Sequence, residues 1–88
     1  MKRGRRSGEI LRALRNYKRK YQHAVGEFVG ADVSTISRIE SGELPVTSEV
    51  ERRYVDACGG VNALRTLIDD SVELLNRLMG HNQPLKLA

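Results

Sequence analysis

The segment from Val33 to Glu40 carries side chains that can hydrogen-bond to nucleic-acid bases. As a helix, it places Ile36 and Ile39 on one side, where they can be buried. The other side carries Arg38, whose guanidinium can bind guanine O6 and N7 together and contribute roughly 1–3 kcal/mol of discrimination. If this helix enters a major groove, we expect base contacts from Val33, Ser34, Ser37 and Arg38.

The residues before this segment predict the elements that would position it. A short helix opens at Gln22, and its apolar residues recur at the spacing of one buried helical face. These residues are Val25, Phe28 and Val29. Gly30 can then adopt the positive φ of a sharp turn, and Asp32 is a good N-cap for the next helix. Two short helices joined in this way can lay the second in a DNA groove.

The remainder of the chain predicts three further helices, so we expect an all-α domain of five helices with an extended C-terminal helix. The first starts at residue 7 or 8 and ends near residue 20, the fourth runs from residue 47 or 48 to the Gly59–Gly60 break, and the fifth covers residues 61–80. The apolar stripe of the first helix is Ile10, Leu11, Leu14 and Tyr17. Gly42 is well placed to end the third helix.

This organisation resembles the phage-repressor-like helix-turn-helix family, which includes lambda repressor, Cro and the xenobiotic response element (XRE) proteins. The motifs that carry the resemblance are LRALR at residues 11–15, QHAVGEFVG at residues 22–30 and DVSTISRIESG at residues 32–42. Their register holds without an insertion, and residues 45–59 resemble the family's fourth helix. The resemblance implies a lambda-repressor-like fold that binds double-stranded DNA.

Positive charge is concentrated at the start of the chain. The 88 residues carry a net charge of +4, but residues 1–20 hold nine basic side chains against Glu9 alone, which leaves the rest net negative. Residues 1–8, MKRGRRSG, lack an apolar side chain after Met1, and we interpret them as a flexible basic arm. The asymmetry favours a polyanionic partner on one side, although a solvated charged tail has the same composition.

The resemblance and the basic arm together assign contacts with the DNA backbone. Gln22 matches the family glutamine that meets phosphate at a helix N-terminus. Arg15 and Glu40 match a structural pair that ties the first helix to the end of the third, with Arg15 often near phosphate. The expected phosphate contacts are Gln22, His23, Thr35, Arg15, Lys2, Arg3, Arg5 and Arg6. The alternative for each is an exposed polar residue without a ligand.

The chain departs from the family pattern in several places. Gly26 replaces a preferred alanine, which is consistent with a very close approach between helices and costs roughly 1 kcal/mol of helix propensity. Tyr21 replaces the usual Ser or Thr cap, and Arg19 and Lys20 replace a glycine and a hydrophobic residue. We therefore expect a distinctive turn between the first two helices. Asp32 is a suitable cap but unfavourable beside phosphate.

The fifth helix carries more apolar side chains than the core of one small domain requires. One side can cover the preceding helices, while the other would be exposed in a monomer. We expect a homodimer interface of Ile68, Leu75, Leu78 and Met79. The alternative is a helix that folds back entirely on its own core. On this interpretation residues 9–60 form the DNA-binding domain, residues 61–80 pair two copies, and residues 81–88 are a tail.

The sequence does not favour catalysis, a metal site or a cofactor. His23, His81 and Cys58 lack the spacing of metal ligands, and no glycine-rich phosphate loop is present. Cys58 is expected to be a small buried side chain in a reducing compartment. No apolar run of about 18 residues predicts a membrane span. We expect a cytoplasmic, nucleoid-associated protein.

These features predict a sequence-specific regulator of transcription, most simply a prokaryotic or phage repressor that binds a two-fold operator as a homodimer. A protein-interaction module on the same fold, such as an antitoxin or a transcription adaptor, is the leading alternative. A third interpretation makes the basic first helix a membrane-surface or RNA-binding element. It requires that Leu11 and Leu14 are not buried in the core.

Overall fold

The computed structural model describes residues 3–80, and for residues 3–6 it describes the backbone alone. Lys2 and the tail at residues 81–88 lie outside the described residues. All regular structure in residues 3–80 is helical. The helices are α1 (Arg3–Tyr17), α2 (Gln22–Val29), α3 (Val33–Ser41), α4 (Ser48–Ala57) and α5 (Val61–Gly80). The expected all-α fold of five helices with an extended last helix is confirmed.

The first helix differs from the expectation at both ends. It begins at Arg3, about one turn earlier than expected, and ends at Tyr17 instead of near residue 20. Residues 3–8 therefore have a helical backbone, which differs from the flexible arm expected for residues 1–8. Gly8 is buried, and a Cβ atom there would lie only 2.2 Å from the carbonyl oxygen of Ile39. This glycine permits close packing of α1 on α3 and is not a mark of disorder.

The core lies where α1, α3 and α4 meet around α2. Its most buried side chains are apolar, apart from the hydroxyl of Tyr54 and the thiol of Cys58. They are Leu11, Leu14, Val25, Ile36, Ile39, Tyr54, Val55, Cys58 and Ala63. Burial raises the pKa of the Cys58 thiol, as expected for a cysteine used as a small apolar side chain.

Three apolar residues expected in the core are exposed. The buried face of α2 consists of Val25 and Gly26, with Val29 packed against the core. Phe28 does not lie on this face, and its side chain is therefore 58 % exposed. Ile10 and Tyr17 are 48 % and 39 % exposed, because Leu11 and Leu14 supply the buried face of α1. The apolar stripe inferred from residue spacing alone is wider than the surface that the neighbouring helices cover.

The last helix leaves the core after its first half. Ala63 is buried, and Leu64 and Leu67 pack against the core, but every residue from Ile68 to Gly80 is exposed. The molecule is consequently elongated, with extents of 56 × 28 × 19 Å. A helix folded back entirely on its own core, the alternative drawn from the sequence, is not what the structure contains.

Candidate nucleic-acid interface

A tight turn between α2 and α3 fixes the direction of α3. Gly30 has a φ of 89°, and both its N–H and that of Ala31 donate to the carbonyl oxygen of Gly26, at 2.7 and 2.9 Å. A Cβ atom on Gly26 would lie 2.4 Å from the carbonyl oxygen of Ala31. The glycine at position 26 is therefore required by this turn, and the expected close approach between helices is not its principal cause.

The capping residue of α3 is the one that the sequence indicates. The Asp32 side chain accepts a 2.8 Å hydrogen bond from the backbone N–H of Thr35, and this bond lowers the pKa of the Asp32 carboxyl. Gly42, with a φ of 84°, ends the helix as expected. Thr35 is half-buried, so its backbone serves the cap while its side chain lies at the margin of the exposed surface.

The third helix separates a packing side from an exposed side. Ile36 and Ile39 are buried, as the spacing predicts. We call the opposite side the reading face; it consists of Val33, Ser34, Ser37 and Arg38, all exposed. Among the described residues, no hydrogen bond engages the Arg38 guanidinium. The expected base-contact residues thus share one solvent-facing surface, and their contacts with bases remain a prediction.

Beneath the reading face, one buried carboxylate joins four helices. Glu40 of α3 is 5 % exposed and accepts hydrogen bonds from Arg15 Nε at 2.7 Å and Arg15 Nη2 at 3.0 Å. It also accepts bonds from Gln22 Nε2 at 3.1 Å and from the hydroxyl of Tyr54. We call these four residues the Glu40 network. The network ties α1, α2 and α4 to the C-terminal end of α3.

The electrostatics of the Glu40 network are those of a satisfied buried charge. Burial alone raises the pKa of the Glu40 carboxyl, but the hydrogen bonds from Arg15, Tyr54 and Gln22 outweigh it and hold that pKa below its usual range. Burial and the bond to Glu40 raise the pKa of the Tyr54 hydroxyl, which therefore remains a donor. Among the described residues, no buried side-chain nitrogen or oxygen lacks a partner.

The Glu40 network changes the expected roles of Arg15 and Gln22. The Nη1 atom of Arg15 donates a 2.9 Å bond to the carbonyl oxygen of Lys20, so all three guanidinium nitrogens are bonded within the protein. The contact between Arg15 and Glu40 was expected from the sequence, and the structure contains it. Gln22 is half-buried and donates a hydrogen bond to Glu40, so it helps to position α3 from the buried side of that helix. Phosphate contacts by these two residues stay predictions.

The turn from α1 to α2 presents cations beside an uncapped helix end. Lys18, Arg19 and Lys20 are exposed, and Arg19 adopts a φ of 56° that non-glycine residues rarely take. Tyr21 precedes α2 without a side-chain cap hydrogen bond, and its ring stacks on that of His23 at 5.6 Å. The lack of a side-chain cap leaves the first N–H groups of α2 open to an anion, while a turn geometry distinct from that of the family stays a prediction.

Two important residues escaped the sequence interpretation. No role for Tyr54 followed from the sequence, although a buried tyrosine hydroxyl needs a hydrogen-bond partner and the acidic Glu40 can accept one. Gly8 was read as part of the arm. For the arm itself, Lys2 lies outside the described residues, and the side chains of Arg3, Arg5 and Arg6 are not described. Their phosphate contacts remain predictions.

Burial in α1 decides against one of the alternatives. Leu11 is 4 % exposed and Leu14 is fully buried in the core. An α1 that lies on a membrane or in an RNA groove through its apolar side would need these two side chains. No helix within residues 3–80 is long and apolar enough to cross a bilayer.

Comparison with known proteins agrees with this geometry. The sequence profile of the helix-turn-helix domain family matches residues 8–67, which include the whole of α2, the turn and α3 as well as the core of α1 and α4. The chain matches no curated protein and no solved structure. Because the match spans well over half of the sequence, the chain belongs to the helix-turn-helix domain family, a family of DNA-binding domains.

Proposed function

We propose that this protein is a sequence-specific regulator of transcription of the phage-repressor-like (lambda repressor, Cro, XRE) type. The observation that carries the proposal is the reading face. Four exposed side chains stand on a helix whose underside is anchored by Ile36, Ile39 and the Glu40 network. A rigid support of this kind holds side chains in the geometry that base recognition needs.

The charge distribution supports DNA as the polyanion. Arg38 stands on the reading face, and Lys18, Arg19 and Lys20 lie at the turn that Arg15 ties to Glu40. The basic residues before Ser7 would add contacts with phosphate. Phosphate contacts supply affinity and register, while the reading face supplies selectivity.

Repression by a homodimer is the simplest regulatory mechanism. One domain contacts a half-site of a few base pairs, whereas two-fold pairing places two reading helices about 34 Å apart on one face of the duplex. The exposed residues Ile68, Leu75, Leu78 and Met79 of α5 supply the pairing surface. A dimer bound at a promoter in the cytoplasm, on the nucleoid, would block the polymerase without further domains.

A protein-interaction module on the same fold remains the second candidate. The exposed apolar residues of α5 favour it equally, because another protein can cover them as well as a second copy can. The two candidates differ in their response to DNA. An antitoxin or adaptor that works only through α5 does not need the reading face.

Selection of bound sites from random duplex DNA tests the proposal, followed by titration of the selected duplex at several salt concentrations. We expect one enriched two-fold sequence and a linear fall of log K with log salt, at about −0.9 per neutralised phosphate. Lack of binding at low salt would contradict the DNA proposal. Enrichment of no sequence, with a steep salt slope, would leave only nonspecific binding.

A further inference from the structure

A shallow apolar groove lies between α1 and α5. It has a volume of about 480 Å³ and is lined on one side by Ile10 and Ala13 of α1 and on the other by α5. The α5 lining consists of Leu64, Leu67, Ile68, Ser71, Val72 and Leu75. We call this the α1–α5 groove. Its α1 wall did not follow from the sequence, which assigned Ile10 to the core.

The same chain carries a segment that fits such a groove. Beyond Ser71, the groove-lining face of α5 continues through Leu75 to Leu78 and Met79, which are 52 %, 58 % and 57 % exposed. This distal half of α5 cannot fill the groove of its own copy, because it belongs to the same continuous helix that forms the groove's wall. The Tyr17 hydroxyl holds α5 against α1 through a 2.7 Å bond to Asp70 Oδ2.

We propose that the α1–α5 groove receives the distal half of α5 from a second copy of this chain, with the two α5 helices antiparallel and crossing at Ser71. The proposal rests on the homodimer named under the proposed function and adds its direction and its α1 contribution. Each copy then fills the groove of the other, as a two-fold contact requires.

Helix geometry favours this crossing. Leu64 and Leu78 lie on opposite sides of Ser71, each about 10 Å from it along the helix at 1.5 Å per residue. An antiparallel pair centred on Ser71 therefore brings Leu78 of the second copy level with Leu64, beside Ile10 and Ala13. A parallel pair would place distal half against distal half and leave the groove at Ile10 empty.

Ser71 is suited to the crossing point. It is small, and its hydroxyl donates a 2.7 Å bond to the carbonyl oxygen of Leu67, so burial at an interface leaves no unpaired donor. In each copy this contact covers six apolar side chains that are each about half exposed: Ile10, Ile68, Val72, Leu75, Leu78 and Met79. A standard interface takes about 800 Å² from each partner, and these side chains would form its apolar centre.

Cysteine cross-linking between differently tagged copies tests the direction. The native Cys58 is fully buried, and wild-type protein serves as the control that this thiol does not react with the cross-linker. An Ala13→Cys protein mixed with a Leu78→Cys protein should give a cross-linked heterodimer with a short bifunctional maleimide. Leu78→Cys alone should not link to itself. Self-linking of Leu78→Cys without linking to Ala13→Cys would overturn the antiparallel proposal and leave the homodimer standing.

Sedimentation of charged variants tests the α1 wall. Ile10→Glu should weaken the dimer by about a hundredfold or more, because it places a charge in the groove. Phe28→Glu is the matched control: its side chain is similarly exposed but lies outside the groove, so its dimer should equal the wild type. Helical content by circular dichroism verifies that both variants fold. Unchanged association of folded Ile10→Glu would overturn the proposal.

Duplex binding separates this inference from the function on which it rests. A wild-type monomer at micromolar concentration would overturn both the homodimer and its groove, while binding of a single half-site would still support DNA recognition. A stable dimer that does not bind DNA would refute the regulator and leave the groove proposal intact.

Discussion

The hydroxyl of Tyr54 on α4 donates its hydrogen bond to the Glu40 carboxylate on α3, which also accepts two bonds from Arg15 on α1. Removing one partner of a buried charge leaves that charge partly unsatisfied, at a cost larger than the average hydrogen bond. Since Glu40 follows directly after Ile39 on the packing side of α3, the orientation of the reading face depends on this network.

Replacing Tyr54 with phenylalanine should therefore destabilise the fold by about 1–3 kcal/mol, because the buried carboxylate loses a donor. Tyr17→Phe is the matched control: it also removes a hydroxyl that donates to a carboxylate, that of Asp70, but on an exposed surface. Urea unfolding of both variants measures the difference. An equal loss in the two variants would show that the Tyr54 hydroxyl contributes no more to stability than the exposed hydroxyl of Tyr17 does.

Stability should fall in acid with a contribution from Glu40. Hydrogen bonds that outweigh burial hold its folded-state pKa below the usual value, so its stabilisation is complete above the unfolded-state pKa of about 4.3. This stabilisation is lost as the pH falls through the lower folded-state pKa. Asp32, whose pKa is lowered by the Thr35 N–H, adds a change of the same sign.

Urea unfolding at a series of pH values from about 3 to about 7 measures this dependence. The Glu40→Gln variant should be less stable at neutral pH and should show a shallower decline in acid than the wild type. A decline as steep as that of the wild type would assign the acid sensitivity to other carboxylates.

The contact of Gly8 with α3 predicts an unusual response to alanine. Alanine is the better helix former by about 1 kcal/mol, yet its Cβ atom would lie 2.2 and 2.9 Å from the carbonyl oxygens of Ile39 and Glu40. We expect Gly8→Ala to destabilise the protein by about 1–3 kcal/mol, as overpacking does. Gly80→Ala is the control, because this helical glycine has open space where the Cβ atom would lie. It should leave stability unchanged or raise it slightly. Thermal unfolding of the pair checks both, and a stabilised Gly8→Ala would contradict the contact.

Local signals predicted the centre of the fold well. The turn at Gly30, the Asp32 cap and the stop at Gly42 follow from backbone chemistry that few residues satisfy, so the bounds of α2 and α3 could be read directly. The pairing of Arg15 with Glu40 came from the resemblance, since the two are 25 residues apart and no local rule joins them.

Other features depend on tertiary packing that periodicity does not record. The spacing of Phe28 and Ile10 suits a buried face, but the neighbouring helices leave about half of each side chain exposed. Gly8 looks like a flexible residue until α3 is placed against it. The partner of the Tyr54 hydroxyl could be sought in the sequence, but only the fold brings Glu40 to it.

Selectivity for DNA should reside in Arg38 and general affinity in the cations of the α1–α2 turn. The Arg38 side chain is exposed and makes no hydrogen bond within the described residues, so Arg38→Ala should keep the fold while removing the one donor fork on the reading face. We expect its affinity for the selected duplex to fall by about 1–3 kcal/mol, with little change for random duplex.

Lys20→Ala is the comparison for Arg38→Ala. It retains the backbone carbonyl that Arg15 binds and removes one exposed charge. Its affinity for both duplexes should fall together, and its salt slope should decrease by about 0.9. Fluorescence anisotropy with the two duplexes at several salt concentrations distinguishes the variants. If Arg38→Ala weakens both duplexes equally and lowers the salt slope as Lys20→Ala does, Arg38 contacts phosphate, and sequence must be read by Val33, Ser34, Ser37 or the shape of the DNA.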